Sequence, residues 1–128
     1  MLDRYPVYVV DDDPSMRDWL ALICDEEGHE CRGFASGEAF LAALDHLDPG
    51  CVLLDMRMPR RDGLQVQAEL ARRGRPMPVI AMTGYGDVEV AVQSMRLGAL
   101  DFLEKPFETA VLAEAIERAF RALAAQPR

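Results

Sequence analysis

No apolar run in this 128-residue chain approaches the length of a membrane span, and the opening Met1-Leu2-Asp3-Arg4 is no signal peptide. Cysteine is scarce. Cys24, Cys31 and Cys51 are odd in number, form no C-x-x-C and lie in apolar segments. That pattern argues against disulfides, a metal site or a nucleophile, and predicts buried, reduced thiols and a cytoplasmic location. Basic charge is also short. Fourteen Lys and Arg against 22 Asp and Glu leave a net charge of -8, so the domain does not hold nucleic acid by its own field. The same charge suits a cation. There is no internal repeat and no low-complexity segment. What remains is one domain's worth of chain, 50% hydrophobic and 28% charged, which is ordinary for a globular domain with a real core.

The chain is organised around Cys51-Val52-Leu53-Leu54-Asp55-Met56-Arg57-Met58-Pro59. Its apolar start reads as a strand buried on both faces, as in a parallel sheet. It ends on Asp55, and Pro59 with Asp62-Gly63 then turns the chain out of the sheet. Val7-Tyr8-Val9-Val10 reads as an earlier strand, followed by Asp11, Asp12 and Asp13 and then Pro14, which suits a first helical turn capped by Asp13. Met16, Trp19, Leu20 and Ile23 give that helix an apolar face ending near Gly28. Glu30 to Phe34 is a weak second strand; Ser36 caps a helix with Phe40, Leu41 and Leu44 inward. Leu64, Val66 and Leu70 mark a third helix. Pro78 to Met82 is a fourth strand, and Asp87 is placed to cap a fourth helix that ends at Gly98. Leu100 to Leu103 is a fifth strand, and Val111, Leu112, Ala115, Ile116, Ala119, Phe120 and Leu123 form the stripe of a last helix. Alternating strands and helices predict a parallel sheet covered by helices on both faces. The domain is expected over 1–122, with 123–128 the start of a linker.

The strand ends carry matching chemistry. The first gives Asp11 and Asp12, the third Asp55, the fourth Thr83 and the fifth Lys105. In open α/β sheets, ligands bind at the carboxyl ends of the strands. Crowded acids repel unless a cation or protons compensate them, and hard oxygen donors suit Mg²⁺. Lys105 can hold a phosphoryl oxygen, and Thr83 can donate a hydroxyl hydrogen bond. Together these are the parts needed to accept a phosphoryl group, a reaction that depends mainly on positioning and charge neutralisation. Singly, each has a plainer explanation: a helix cap, a backbone-satisfied Thr, a solvated Lys.

Val9-Val10-Asp11-Asp12-Asp13, Leu53 through Gly63, Met82-Thr83-Gly84 and Phe102-Leu103-Glu104-Lys105-Pro106-Phe107 resemble the receiver domain of bacterial two-component response regulators. The stretches from Thr83 to Val88 and from Asp101 to Phe107 are most similar to the FixJ-type subgroup. The resemblance implies a flavodoxin-like, doubly wound five-stranded parallel sheet of order 2-1-3-4-5 with five helices. It implies that Asp55 accepts a phosphoryl group from a histidine kinase, with Mg²⁺, or Mn²⁺ in its place, as cofactor. Asp12 would bind the metal directly, Asp11 through a metal-bound water, and Arg57 by its backbone carbonyl. Thr83 and Lys105 would contact the phosphoryl group. Thr83 and Phe102 occupy the switch positions, although Phe102 lacks the hydroxyl of the more usual Tyr, and a plain core Phe is the alternative. A cis peptide is expected before Pro106. Self-phosphorylation and self-dephosphorylation, not turnover of a separate substrate, would be the chemistry. DNA would be reached only through a C-terminal output domain, which these residues do not include. The phosphorylated domain is expected to form a symmetric dimer through its fourth helix and fifth strand, with Val92 at the centre and Arg96 of one chain meeting Asp101 of the other.

Three rivals are weighed. A haloacid-dehalogenase-like phosphatase shares the Asp, Thr, Lys and metal, but it normally has an Asp where Arg57 stands. A flavin-binding flavodoxin needs a phosphate cradle after the first strand, where Asp11-Asp12-Asp13 would repel it. A receiver fold that binds partners without phosphorylation would have no need of the complete residue set.

Overall fold

The computed structural model describes residues 5–75 and 77–126, so the first four residues, residue 76 and the last two lie outside it. Five strands pair into one sheet: β1 (Val7–Val10), β2 (Cys31–Phe34), β3 (Cys51–Asp55), β4 (Val79–Thr83) and β5 (Asp101–Glu104). Their order is β2-β1-β3-β4-β5 and every neighbouring pair is parallel. Five helices intervene: α1 (Pro14–Glu26), α2 (Gly37–Ala43), α3 (Gly63–Arg72), α4 (Val88–Arg96) and α5 (Thr109–Ala124). This is the expected doubly wound, flavodoxin-like sheet. Strand β5 begins one residue later than expected.

Side chains alternate along each strand, so the sheet feeds two cores. Val7, Val9, Cys51, Leu53, Ile80 and Met82 point to one face, where Leu20 and Ile23 of α1 and Leu112 and Ile116 of α5 cover them. Tyr8, Val10, Val52, Leu54 and Ala81 point to the other, against Phe40 of α2 and Val66 and Leu70 of α3. Each Val, Leu, Ile, Met or Phe among them, fully buried, stabilises the fold by roughly 1.5–3 kcal/mol. That double burial is why the strands read as continuous apolar runs rather than alternating ones.

Local signals fix the helix starts. Asp13 accepts a hydrogen bond from the Ser15 N–H, Ser36 one from Ala39, and Asp62 with Gln65 forms a reciprocal capping box at α3. Gly63 has no room for a side chain: a Cβ there would lie 2.4 Å from Met56 Cε and 2.8 Å from the Asp55 carbonyl oxygen. The α3 start is thereby pressed against the strand end that carries Asp55.

Several expectations need correction. Trp19 is not core; it is 36% exposed and packs at the rim on Phe107, ring centroids 5.6 Å apart. Val111 is exposed as well. Cys24 and Cys51 are buried and all three thiols are free, but Cys31 is only partly buried. Phe102 is 42% exposed, which excludes the plain core role, because Leu103 is the β5 residue that faces inward. Helix α5 runs on to Ala124 with Leu123 buried, so packed structure extends past residue 122.

Candidate functional site

The carboxyl ends of β1 and β3 bring three acids together. One oxygen from each of Asp11, Asp12 and Asp55 lies within 4.8 Å of the others, with Asp11 and Asp55 buried and Asp12 exposed. Lys105, the chain's single lysine, follows β5 and reaches over them. Its Nζ stands 3.1 Å from Asp11 Oδ2 and 3.6 Å from Asp55 Oδ1. The remaining Asp11 oxygen accepts the Asp13 N–H at 2.9 Å, so both Asp11 oxygens have protein donors. Asp55 Oδ1 also accepts the Arg57 N–H at 3.1 Å. The Lys105-Pro106 peptide is cis.

Burial is the main influence on Asp55 and pushes its carboxyl up from 3.8 to about 6. The neighbouring Asp11 and Asp12 charges push the same way, while the Arg57 N–H and the Lys105 ammonium oppose them. The acid cluster is therefore partly compensated by Lys105 within the protein itself. The sequence placed Lys105 at the same lip as the acids; its direct pairing with Asp11, 94 residues away, is what the structure adds.

Thr83 is buried at the end of β4. Its hydroxyl donates a long hydrogen bond of 3.4 Å to the Leu103 carbonyl, turned toward β5 rather than toward Asp55. Beyond it, an open cavity of about 360 Å³ runs from Thr83 to Phe102 along Val88, Val92 and Met95 of α4. Val92, Met95 and Phe102 are each 40–43% exposed, so an apolar face is presented where the dimer was expected. Asp101, however, already pairs with Arg118 of α5 in the same chain. It is not a free partner for Arg96. Helix α5 packs beside β5 and delivers Arg118, a pairing that no local pattern announces.

Asp87 also departs from expectation. It occupies the residue before α4 but makes no side-chain cap. Instead its two oxygens accept from Arg57 Nε at 2.8 Å and Nη2 at 3.0 Å. The Arg57 guanidinium holds the Asp87 carboxyl below the usual carboxylate range. Sequence reasoning placed Arg57 at the border of the site and by its backbone carbonyl, but did not anticipate its pairing with Asp87.

The fold is a doubly wound parallel sheet with an acid cluster and a lysine at the carboxyl ends of its strands. The response regulator receiver domain model matches residues 7–117, and the chain belongs to that family. It is 47% identical to the transcriptional regulatory protein FixJ of Bradyrhizobium diazoefficiens over 94% of this chain and 59% of that protein. It is 44% identical to FixJ of Azorhizobium caulinodans over 100% of this chain and 61% of that protein. Among solved structures, the crystal structure of FixJ-N superposes with a TM-score of 0.92 at 41% identity, covering 98% of this chain and 100% of that one. Full-length FixJ from B. japonicum superposes at 0.90 and 45% identity, covering 94% of this chain and 60% of that one. The chain is thus the receiver domain of a FixJ-like response regulator and spans about three fifths of the curated relatives it matches. The phosphatase and flavin readings are not favoured. The acid cluster can hold a metal. Among the described residues no helix is long and apolar enough to cross a membrane.

Proposed function

We propose that Asp55 accepts a phosphoryl group from the phosphohistidine of a histidine kinase or from a small phosphodonor. The observation that carries this is Lys105 Nζ standing between Asp11 and the buried Asp55, 3.1 and 3.6 Å away. An Asp55 oxygen attacks phosphorus; the new P–O bond forms as the P–N bond of phosphohistidine breaks and the imidazole leaves, or as the P–O bond of acetyl phosphate breaks and acetate leaves. Lys105 has only to shift from Asp11 to meet the incoming oxygens, and Thr83 to exchange the long bond to Leu103 for one to the phosphoryl group. Asp55 is the attacking group and needs its charge, so the Arg57 N–H and the Lys105 ammonium, which favour the ionised carboxylate, favour the reaction.

The oxygen-only cluster fits Mg²⁺, or Mn²⁺, which Asp12 and Asp55 would hold directly, with the Arg57 backbone carbonyl as a further ligand and Asp11 acting through a bound water. Asp11, with both oxygens already engaged, suits the water-mediated place. When bound, the metal neutralises charge on the transferring group. The domain would phosphorylate and dephosphorylate only itself, in the cytoplasm, and act on DNA through an output domain. The signal would pass by Thr83 and Phe102 to the α4–β5 face, where a dimer centred on Val92 forms. Asp101 would then have to accept from the partner's Arg96 as well as from its own Arg118.

Incubation with acetyl phosphate and Mg²⁺ tests the proposal. One phosphoryl mass should be added and should be lost in Asp55→Asn; an unlabelled parent under conditions that label other receivers contradicts it.

A further inference from the structure

We propose that the Arg57 guanidinium is a further phosphoryl ligand, held in reserve by Asp87, and that its transfer releases Asp87 to cap α4. The inference rests on Asp55 being the acceptor.

The chain's other Asp residues at helix starts, Asp13 and Asp62, accept backbone N–H groups with extended ψ values of 112° and 175°. Asp87 stands at the same place before α4 with ψ 54° and caps nothing. The first-turn N–H groups of a helix have no intrahelical partner, so an unused carboxylate there is a bond forgone. What draws it away is Arg57, which takes both of its oxygens in a fork. The root of that arginine is beside the acceptor: the Arg57 N–H already donates to Asp55 Oδ1 at 3.1 Å. Its side chain is 71% exposed, so no packing resists a swing.

A phosphoryl group on Asp55 places about two negative charges and three acceptor oxygens next to that root. Guanidinium pairs with phosphate bidentately, as it does with carboxylate, and the doubly charged group outbids the single Asp87 carboxylate. The exchange conserves contacts: Arg57 gives up one fork and gains another. Asp87, no longer held, turns to the Glu89 and Val90 N–H groups. The result is a firmer α4 start at one end of the exposed face formed by Val88, Val92 and Phe102. Acceptor and α4 are thereby linked through one cation with two competing anions.

Amide exchange at Glu89 and Val90, followed by NMR, tests this with beryllofluoride and Mg²⁺ as the phosphoryl probe. In the parent, the probe should slow exchange about fivefold, the effect of one N-cap on first-turn opening. Arg57→Gln should show the slower exchange before any probe is added, because Asp87 is already released. Asp87→Ala should show it in neither state. A parent that takes label from acetyl phosphate, yet keeps fast exchange at both amides with the probe bound, overturns the proposal alone. So does an Arg57→Gln protein whose probe-free exchange equals the parent's. A parent that takes no label overturns the acceptor reading and this proposal with it.

Discussion

Replacing Asp55 by Asn should stabilise the metal-free protein, and only above mildly acidic pH. Burial raises the Asp55 carboxyl from 3.8 to about 6 in the folded chain. The folded state therefore keeps a proton through a window in which the unfolded chain has lost it. Stability contributed by that proton is complete below about pH 4 and lost as pH rises through about 6. At ~1.36 kcal/mol per pH unit the full span is about 3 kcal/mol. Asn carries no such penalty, and the attraction to Lys105, 3.6 Å away, is already contained in the net rise, so the gain at pH 7.5 should be about 2–3 kcal/mol. Urea unfolding in EDTA at half-unit pH steps measures it. The parent and Asp55→Asn curves should meet near pH 4 and separate steadily to about pH 7. Mg²⁺ should close the gap at pH 7.5 by stabilising the parent alone. A difference that is constant with pH, or that shrinks as pH rises, refutes the argument that burial dominates at Asp55.

Asp12→Ala should raise the urea midpoint in EDTA, because an exposed member of the acid cluster is removed, and should abolish Mg²⁺-dependent stabilisation; a lower midpoint with metal response intact contradicts both parts. Gly63→Ala should cost about 1–3 kcal/mol by calorimetry, since its Cβ would lie 2.8 Å from the Asp55 carbonyl, and an unchanged unfolding temperature would show that the loop yields freely. Beryllofluoride with Mg²⁺ should convert the parent to a dimer in sedimentation, and Arg96→Asp should weaken that dimer. A parent that stays monomeric at high micromolar concentration removes the α4–β5 face as an interface.

Much of this was legible in the sequence because it rests on short-range rules. Val52-Leu53-Leu54 is buried on both faces and reads so. Asp13, Ser36 and Asp62 stand where caps belong and do cap. The site residues fall at successive strand ends, and a parallel sheet gathers strand ends by construction. What escaped were choices between partners. Asp87 could cap α4 or pair with Arg57, and nothing local decides between a neighbouring N–H and a guanidinium 30 residues away. Asp101 chose Arg118, 17 residues on, over Arg96. Trp19 and Phe102 lie on elements with true inward faces but sit at their edges, where period alone does not distinguish rim from core. Gln67 and Ser94, both buried, join α3 to α4 through a 2.6 Å hydroxyl bond that no apolar pattern anticipates.

The most direct test of Asp55 as acceptor is to trap the acyl phosphate. The protein is treated with acetyl phosphate and Mg²⁺, reduced with borohydride and sequenced by mass spectrometry. An aspartyl phosphate is reduced to homoserine, so that residue should be found at position 55 and nowhere else among the acids of the cluster, and it should be missing when Mg²⁺ is withheld. Homoserine at Asp11 or Asp12, or a parent that yields none, would contradict the account.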